Sequence, residues 1–486
     1  MKKNHFISQL RFCGIALLGV GALMMSSCAA DGFDDETYIS DVQNTQVVSP
    51  DVADIKVVSS IDGKTQTFTW PVVKGAGGYL VSLFNESVAD VPVAIVTDSI
   101  IDGCSVTLNR EEDTNYLLTI LALGNKNANN TDAAEAAQFR FTTFLPASAT
   151  LPTGTDLYEY FTANPLPTEY NPDTTIVIDL AFNGEYTLSG PINFFGNKTL
   201  IRTATKNMAE NAIIVFKNKS TIKFGGGFTM KNVNIDGAET TDPIIQCSDT
   251  LNEAIKGAGD HYIITDPVTI MNCYVNNVTR KFLYDGKQKY CIQTFTVDNS
   301  VFKFTTDTGA SGAAYFEMYD GGGFINDFIL LNSTFWNATE NSAKYLVRYS
   351  NGGRCDRAGF TKNNTNINNC TFYNIAKTGQ MANRAGLNGK KTSAYDVNNN
   401  IFVDCGGNQV ARRLVGSVGD IKITIFNNNT YWFDGAAETG NTSFDTGYQL
   451  VSDPAFVDAA NGNFTPTGAE QVSMKTGDPR WFETAE

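Results

Sequence analysis

"LLNSTFW", residues 330–336, reads as a buried β-strand until Asn332, which stands where the pattern calls for another apolar side chain. The same irregularity recurs in "TMKNVNI" (229–235), "TIMNCYV" (269–275), "TVDNSVF" (296–302), "NINNCTF" (366–372), "DVNNNIF" (396–402) and "IFNNNTY" (425–431). Aligned on Asn232, Asn272, Asn299, Asn332, Asn369, Asn399 and Asn428, the segments are 40, 27, 33, 37, 30 and 29 residues apart. Two positions before the Asn stand Met230, Ile270, Val297, Leu330, Ile367, Val397 and Phe426; three after it stand Ile235, Val275, Phe302, Phe335, Phe372, Phe402 and Tyr431. The apolar parity shifts by one at the Asn, which marks a corner between two short strands.

A corner repeated in this way implies stacked coils, each strand pairing in parallel with its counterparts roughly 4.8 Å above and below. An Asn at every corner can donate its amide to the next Asn carbonyl, and such a ladder satisfies the polar side chain. Unequal spacings go into loops. A sandwich of hairpins, the rival reading, gives no reason for an Asn-centred column. The expected fold class is all-β, with a parallel β-helix and its C-terminal closing segment over residues 175–486.

The first 27 residues read as a targeting segment: Lys2, Lys3 and Arg11 precede the apolar "CGIALLGVGALMM", and "MSSC" ends at Cys28. That end resembles a bacterial lipobox, which implies lipidation of Cys28 and an anchor in the outer membrane. Residues 28–48 form an acidic linker, and "AADGFDDE" within it resembles the surface-export signal of lipoproteins from Gram-negative gut anaerobes. Export to the cell exterior is the favoured expectation, with a periplasm-facing anchor as its alternative. Of the nine cysteines, seven remain after Cys13 and Cys28, none in a CxxC spacing, so most are expected to fill core positions.

The net charge of −15 is unevenly spread. Residues 341–420 carry eleven basic side chains against Asp356, Asp396, Asp404 and Asp420. A basic window in an acidic protein fits an anion site, although a solvated charged face is the commoner cause. Nothing in the chain calls for nucleic acid.

Residues 49–146 show short alternating runs between turn signals. "TFTWPVVKGAGGYLVSLF" (67–84) and "TNYLLTILALG" (114–124), with Trp70, Tyr79 and Tyr116, resemble a fibronectin type III sandwich, which implies a spacer module. Residues 147–174 are a linker and N-terminal cap, in which "DLYEYFTAN" (156–164) is expected to form a short helix over the first coil. The tail "DPAFVDAANGNF" (453–464) with "GDPRW" (477–481) resembles the closing segment of pectate-lyase-like right-handed β-helices. In layout the chain resembles a surface lipoprotein of a bacterial polysaccharide-utilisation system, a fibronectin-like module followed by two β-helix domains of unknown function. That resemblance implies a polysaccharide ligand and a place beside glycan-uptake machinery.

Fold does not confer activity. His261, the one histidine outside the targeting segment, lacks the paired aspartates of polygalacturonase-like sites and reads as a loop residue. The Arg-x-Pro-x-x-Arg motif of the known pectate lyases is absent. A lyase still needs only a base for the C5 proton and a cation for the carboxylate. Arg348, Lys362 and Arg384 are the candidate catalytic residues, and calcium would be the only cofactor, and only for a lyase. The binding reading rests on the residues four after each Asn: Asp236, Asn276, Lys303, Trp336, Tyr373, Val403 and Trp432. Trp336, Tyr373 and Trp432 could stack on sugar rings, with Arg348, Arg354, Arg384, Arg412 and Arg413 as carboxylate partners. Alternatively, a loop covers those rings as a satellite apolar cluster. The expected function is capture of a uronate-containing polysaccharide, with a β-eliminating lyase and a structural or adhesive surface protein as the alternatives.

Overall fold

The computed structural model describes residues 42–482, apart from 61–64, 88–91, 170, 172–173, 204–209, 307–312, 350–355, 384–392, 416–420 and 438–443. The targeting segment, Cys28, Cys355, Arg354, Arg384, Lys390 and Lys391 therefore lie outside the described residues. The chain divides into two compact units, Met1–Leu145 and Pro146–Glu486.

The first unit holds two antiparallel sheets, one of Lys56–Ser59, Thr65–Thr69 and Ser105–Asn109, the other in the order Val93–Ile101, Ala76–Asn85, Asn115–Gly124, Ala137–Thr142. Alternate residues of these strands, among them Phe68, Tyr79, Val81, Leu83, Tyr116, Leu118 and Ile120, share one buried core. Trp70 meets Tyr79 edge-on at 5.3 Å. The buried hydroxyls find backbone partners, Tyr116 accepting from the Glu111 N–H at 2.8 Å and Tyr79 from the Val73 N–H at 2.8 Å.

The second unit is built mainly from two eleven-stranded sheets and one seven-stranded sheet, whose strands pair in parallel with the same position one coil further on. One coil runs through Phe324–Leu331 of a leading sheet, turns at Asn332, continues as Thr334–Asn337 of a following sheet, then enters a seven-stranded short sheet as Tyr345–Tyr349. The helix Leu157–Ala163, capped by the Asp156 carboxylate, buries Leu157 and Phe161 against the first coils.

Every aligned Asn has a positive φ, from 45° at Asn299 to 57° at Asn399. Asn tolerates this left-handed conformation better than any other non-glycine residue, which explains why the corner selects it. Amide contacts join Asn272 to Asn232 at 3.0 Å, Asn299 to Asn272 at 2.9 Å, Asn369 to Asn332 at 3.2 Å and Asn428 to Asn399 at 3.1 Å. The expected ladder is interrupted twice, between Asn299 and Asn332 and between Asn369 and Asn399. Asn332 donates to Asp298 at 2.9 Å, and the Asn299 carbonyl accepts from the Arg480 guanidinium at 3.0 Å. An ionic donor from the C-terminal segment thus replaces one neutral amide.

Beside this ladder runs an inner one. The residue after the corner is Ser300, Ser333, Asn400 or Asn429 in four coils, and each is fully buried. The Cys273 N–H donates to Ser300 Oγ, that of Ser300 to Ser333 Oγ, and that of Asn400 to Asn429 Oδ1, at 3.1, 3.0 and 3.1 Å. Cys273 and Cys370 fill the same inward column, with buried free thiols. Further in, Phe302, Phe335, Phe372, Phe402 and Tyr431 stack with centroids 5.1, 5.1, 4.9 and 5.6 Å apart. The coil repeat itself imposes this near-parallel stacking, and each pair adds about 0.5–1.5 kcal/mol beyond its burial.

Candidate functional site

The outward column of the following sheet forms as the sequence implies: Lys303, Trp336, Tyr373, Val403 and Trp432 pair in register. It is not an open sugar shelf. The segment 453–482 doubles back along this face, and Trp336 is 7% exposed beneath it. Phe464 packs edge-on against Trp336 at 5.5 Å and lies 5.5 Å from Tyr373, while Phe456 lies 6.4 Å from Tyr373. Polar contacts hold the segment at several coils. Gln471 donates to Thr430 Oγ1 at 3.1 Å, the Asp478 N–H to Thr371 Oγ1 at 3.0 Å, and Thr334 Oγ1 to the Asp478 carboxylate at 2.8 Å. Burial raises the Asp478 carboxyl, and the Arg480 guanidinium at 2.6 Å holds it back. Trp336 and Tyr373 are thus corrected from ligand platform to docking surface for the chain's own tail. Trp432 is half-buried on the hairpin it makes with Ala437.

The basic candidates among the described residues sit on different elements. Lys362 is exposed just before the leading-sheet strand Asn363–Asn368, away from Arg348 in the short sheet. Arg412 and Arg413 lie on the helix Val410–Val415, which packs on the last short strand, Gln380–Asn383, and buries Val410, Ala411, Leu414 and Val415. His261 is a loop residue, as expected, directly after the turn Ala258–Asp260, and it is buried there; its ring sits 5.8 Å from Phe324 and burial lowers its basicity.

Arg348 belongs to a column that the Asn alignment does not display. Along the short sheet the inward positions are Ile192, Ile222, Ile245, Leu283, Phe316, Val347 and Ala382. The next residue in each strand points outward, and this outer column reads Asn193, Lys223, Gln246, Tyr284, Glu317, Arg348 and Asn383. Seven hydrogen-bonding side chains in line, roughly 4.8 Å apart, form a polar track along the coil axis.

Its centre is the most structured part. The Lys281 ammonium donates to Glu317 Oε1 at 2.6 Å and lies 4.3 Å from the Tyr284 ring centroid. Tyr284 donates its hydroxyl to Asp320 at 2.7 Å. The Arg348 guanidinium lies 3.4 Å from the Tyr319 ring centroid and 5.5 Å from that of Tyr345. Stacking of this kind holds the plane of the cation. Glu317 is 3% exposed, yet its Oε2 is buried without a hydrogen-bond partner. Burial raises its carboxyl above the usual range, while the Lys281 and Arg348 charges pull it back.

Asp285 anchors the loops below this cluster. Its carboxylate is fully buried and accepts from the N–H groups of Gly321 at 2.6 Å and Lys287 at 2.9 Å. Burial pushes its carboxyl from the ordinary 3.8 up to about 6. A folded-state value above the unfolded one favours the protonated folded protein, so this contribution is present below about 3.8 and is lost as the pH rises through about 6. Denaturant titrations should show wild type losing on the order of 3 kcal/mol between pH 4 and 7 relative to Asp285→Asn. Parallel pH slopes for the two proteins would contradict that assignment.

Three models of domains of unknown function match this chain. DUF4992, a domain of unknown function, covers residues 1–185; a domain of unknown function (DUF4957) covers 184–338, and another (DUF5123) covers 365–481. No curated protein and no solved structure matches the chain. The matches divide the site: Lys281, Tyr284, Glu317 and Tyr319 fall in the DUF4957 match, whereas Tyr345 and Arg348 fall between it and the DUF5123 match. The closing segment lies almost wholly inside the DUF5123 match, which ends at residue 481.

Proposed function

We propose that this protein captures an acidic polysaccharide along the outer face of the short sheet, as a lipid-anchored protein of the cell surface. The observation that carries the reading is the polar track centred on Arg348, whose stacked guanidinium suits a sugar carboxylate. Lys281 supplies a second, partly exposed cation, and the Tyr284 and Tyr319 rings supply flat apolar area beside the charges. The track runs along the coil axis, which suits a linear polymer. A uronate polymer meets these demands because each residue carries both a carboxylate and hydroxyls. Retention in affinity gels cast with polyuronates, measured beside neutral glucans, tests this: selective retardation is expected, and equal mobility in all gels would contradict it.

The remaining parts of the reading follow from sequence patterns. Cys28 is the proposed lipid site and anchors the chain in the outer membrane, facing the exterior, beside glycan-uptake machinery. The first unit serves as a fibronectin type III-like spacer, supported by its three- and four-stranded sheets and the Tyr116 hydroxyl bond. The second unit is a pectate-lyase-like right-handed β-helix, supported by the three parallel sheets.

A lyase is the second reading, favoured by the buried, incompletely bonded Glu317 carboxyl beside two cations. In β-elimination the base takes the C5 proton, that electron pair becomes the C4–C5 double bond, and the C4–O4 bond breaks with a proton passing to the leaving oxygen. Among the described candidates for the base, Arg348 and Lys362, Arg348 is the one on the track. Among the described residues no group of three or more His, Cys, Asp or Glu side chains could hold a metal ion, and no step is assigned to calcium. Rising ultraviolet absorbance from unsaturated ends would establish the lyase; retention with a flat trace supports capture alone.

A further inference from the structure

The four-stranded sheet of the first unit is apolar on both faces. Along Ala76–Asn85 and Asn115–Gly124 the inward residues make the buried core of the unit. The opposite parity reads Leu80 and Phe84 on one strand and Leu117, Leu121 and Leu123 on the other, all partly exposed. On the neighbouring edge strand Ile100 is 72% exposed. An antiparallel sheet of a sandwich ordinarily gives its outer face to water, with polar side chains in alternation. An apolar outer face with polar edges marks a contact surface. We propose that this face is an interface between two copies of this chain, which pack their four-stranded sheets face to face about a two-fold axis parallel to the strands.

The order of residues across the face points to a second copy as the occupant. Ile100, Leu80 and Leu121 form one row, Phe84, Leu117 and Arg140 another, and Ser82, Thr119 and Gln138 lie between them. Asp98 marks the Val93–Ile101 edge, accepting from Ser82 Oγ at 3.3 Å. Arg140 marks the Ala137–Thr142 edge, with its side chain 59% exposed and Glu86 at 3.3 Å. A two-fold axis along the strands lays each edge over the opposite edge of the other copy. Asp98 then faces the partner's Arg140, one row away, on both sides of an apolar centre in which Leu80 and Phe84 cover the partner's Leu121 and Leu117. Such self-complementarity is what an isologous interface requires, and opposed charges fix its register. Aligned packing of two twisted sheets is a standard way to bury such faces. Strands about 4.8 Å apart and about eight residues long give each face on the order of 500 Å². Two copies thus bury on the order of 1,000 Å², the lower bound of a specific interface, so the dimer is a weak one.

The test is sedimentation velocity of the full-length protein at low salt, over concentrations from about 1 to about 100 μM. Wild type should pass from monomer to dimer across that range. Leu117→Asp should raise the dissociation constant about tenfold or more. Arg140→Glu and Asp98→Lys should each raise it about three- to tenfold. An equimolar mixture of those two variants should associate as well as wild type, because the mixed dimer has an attractive pair at both edges. A variant that had merely lost its fold could not give that rescue. Wild type that stays monomeric throughout would overturn the inference, and that result needs no variant to fold. A dimer unaffected by Leu117→Asp would overturn it too, as would a mixture that does not regain association.

Discussion

Trp336→Ala will release the C-terminal segment before it unfolds the coils. The indole is buried between the following sheet and Phe464, with the Lys303 ammonium 5.3 Å from its ring centroid on the neighbouring coil. Gly462 crosses so closely that a Cβ there would stand 3.0 Å from the indole, and its φ of 86° also resists a side chain. Removing a ring from such a contact costs about 3–5 kcal/mol. Most of that loss should fall on the docking of 453–482, because the coils retain their own hydrogen bonds and their inward Phe column. Limited proteolysis should therefore cut the variant near residue 453 many times faster than wild type while the coil core persists. Unchanged cleavage would mean that the tail is held by its polar contacts alone.

Arg348→Ala carries the second large effect. It removes the cation that Tyr319 and Tyr345 orient, and with it the only guanidinium found on the short-sheet track among the described residues. Loss of a charge-assisted contact to carboxylate costs about 1.5–3 kcal/mol, so polyuronate affinity should fall roughly ten- to a hundredfold. The thermal midpoint should move little, since the arginine is partly exposed. Trp432→Ala, on the other sheet, should leave polyuronate affinity unchanged. If the Trp432 change abolishes binding and the Arg348 change does not, the aromatic face is the ligand surface after all.

The coils were legible because one residue in each is fixed by backbone geometry. A left-handed corner tolerates few side chains, so Asn332 and its counterparts keep constant offsets to the residues two before and three or four after them. That constancy also yielded the Trp336–Tyr373–Val403–Trp432 register correctly. It could not reveal that a tail a hundred residues away would cover the column, since Phe464 and Trp481 carry no local sign of where they dock. The ladder break at Asn299 escaped for the same reason, because Arg480 approaches it from 181 positions along the chain.

The short-sheet track was hidden differently. Gln246, Tyr284, Glu317, Arg348 and Asn383 follow their corner Asn by 14, 12, 18, 16 and 14 residues, because the turn between the following and short sheets varies in length. An alignment on the Asn loses register across that turn. A second signal was available in "AAYFEMYD" (313–320), where Glu317 interrupts an apolar strand much as Asn332 interrupts its own. Buried acidic residues seldom occupy strands without a partner, and Lys281 lies 36 residues earlier in the chain.

Hydrogen exchange of the full-length protein with and without polygalacturonate tests the location of the ligand surface most directly. The account predicts slower exchange in Lys281–Asp285, Ala314–Gly321 and Tyr345–Tyr349, with no change in Asn429–Phe433. Protection confined to Asn429–Phe433 and the closing segment, with the three short-sheet stretches unaffected, would contradict it.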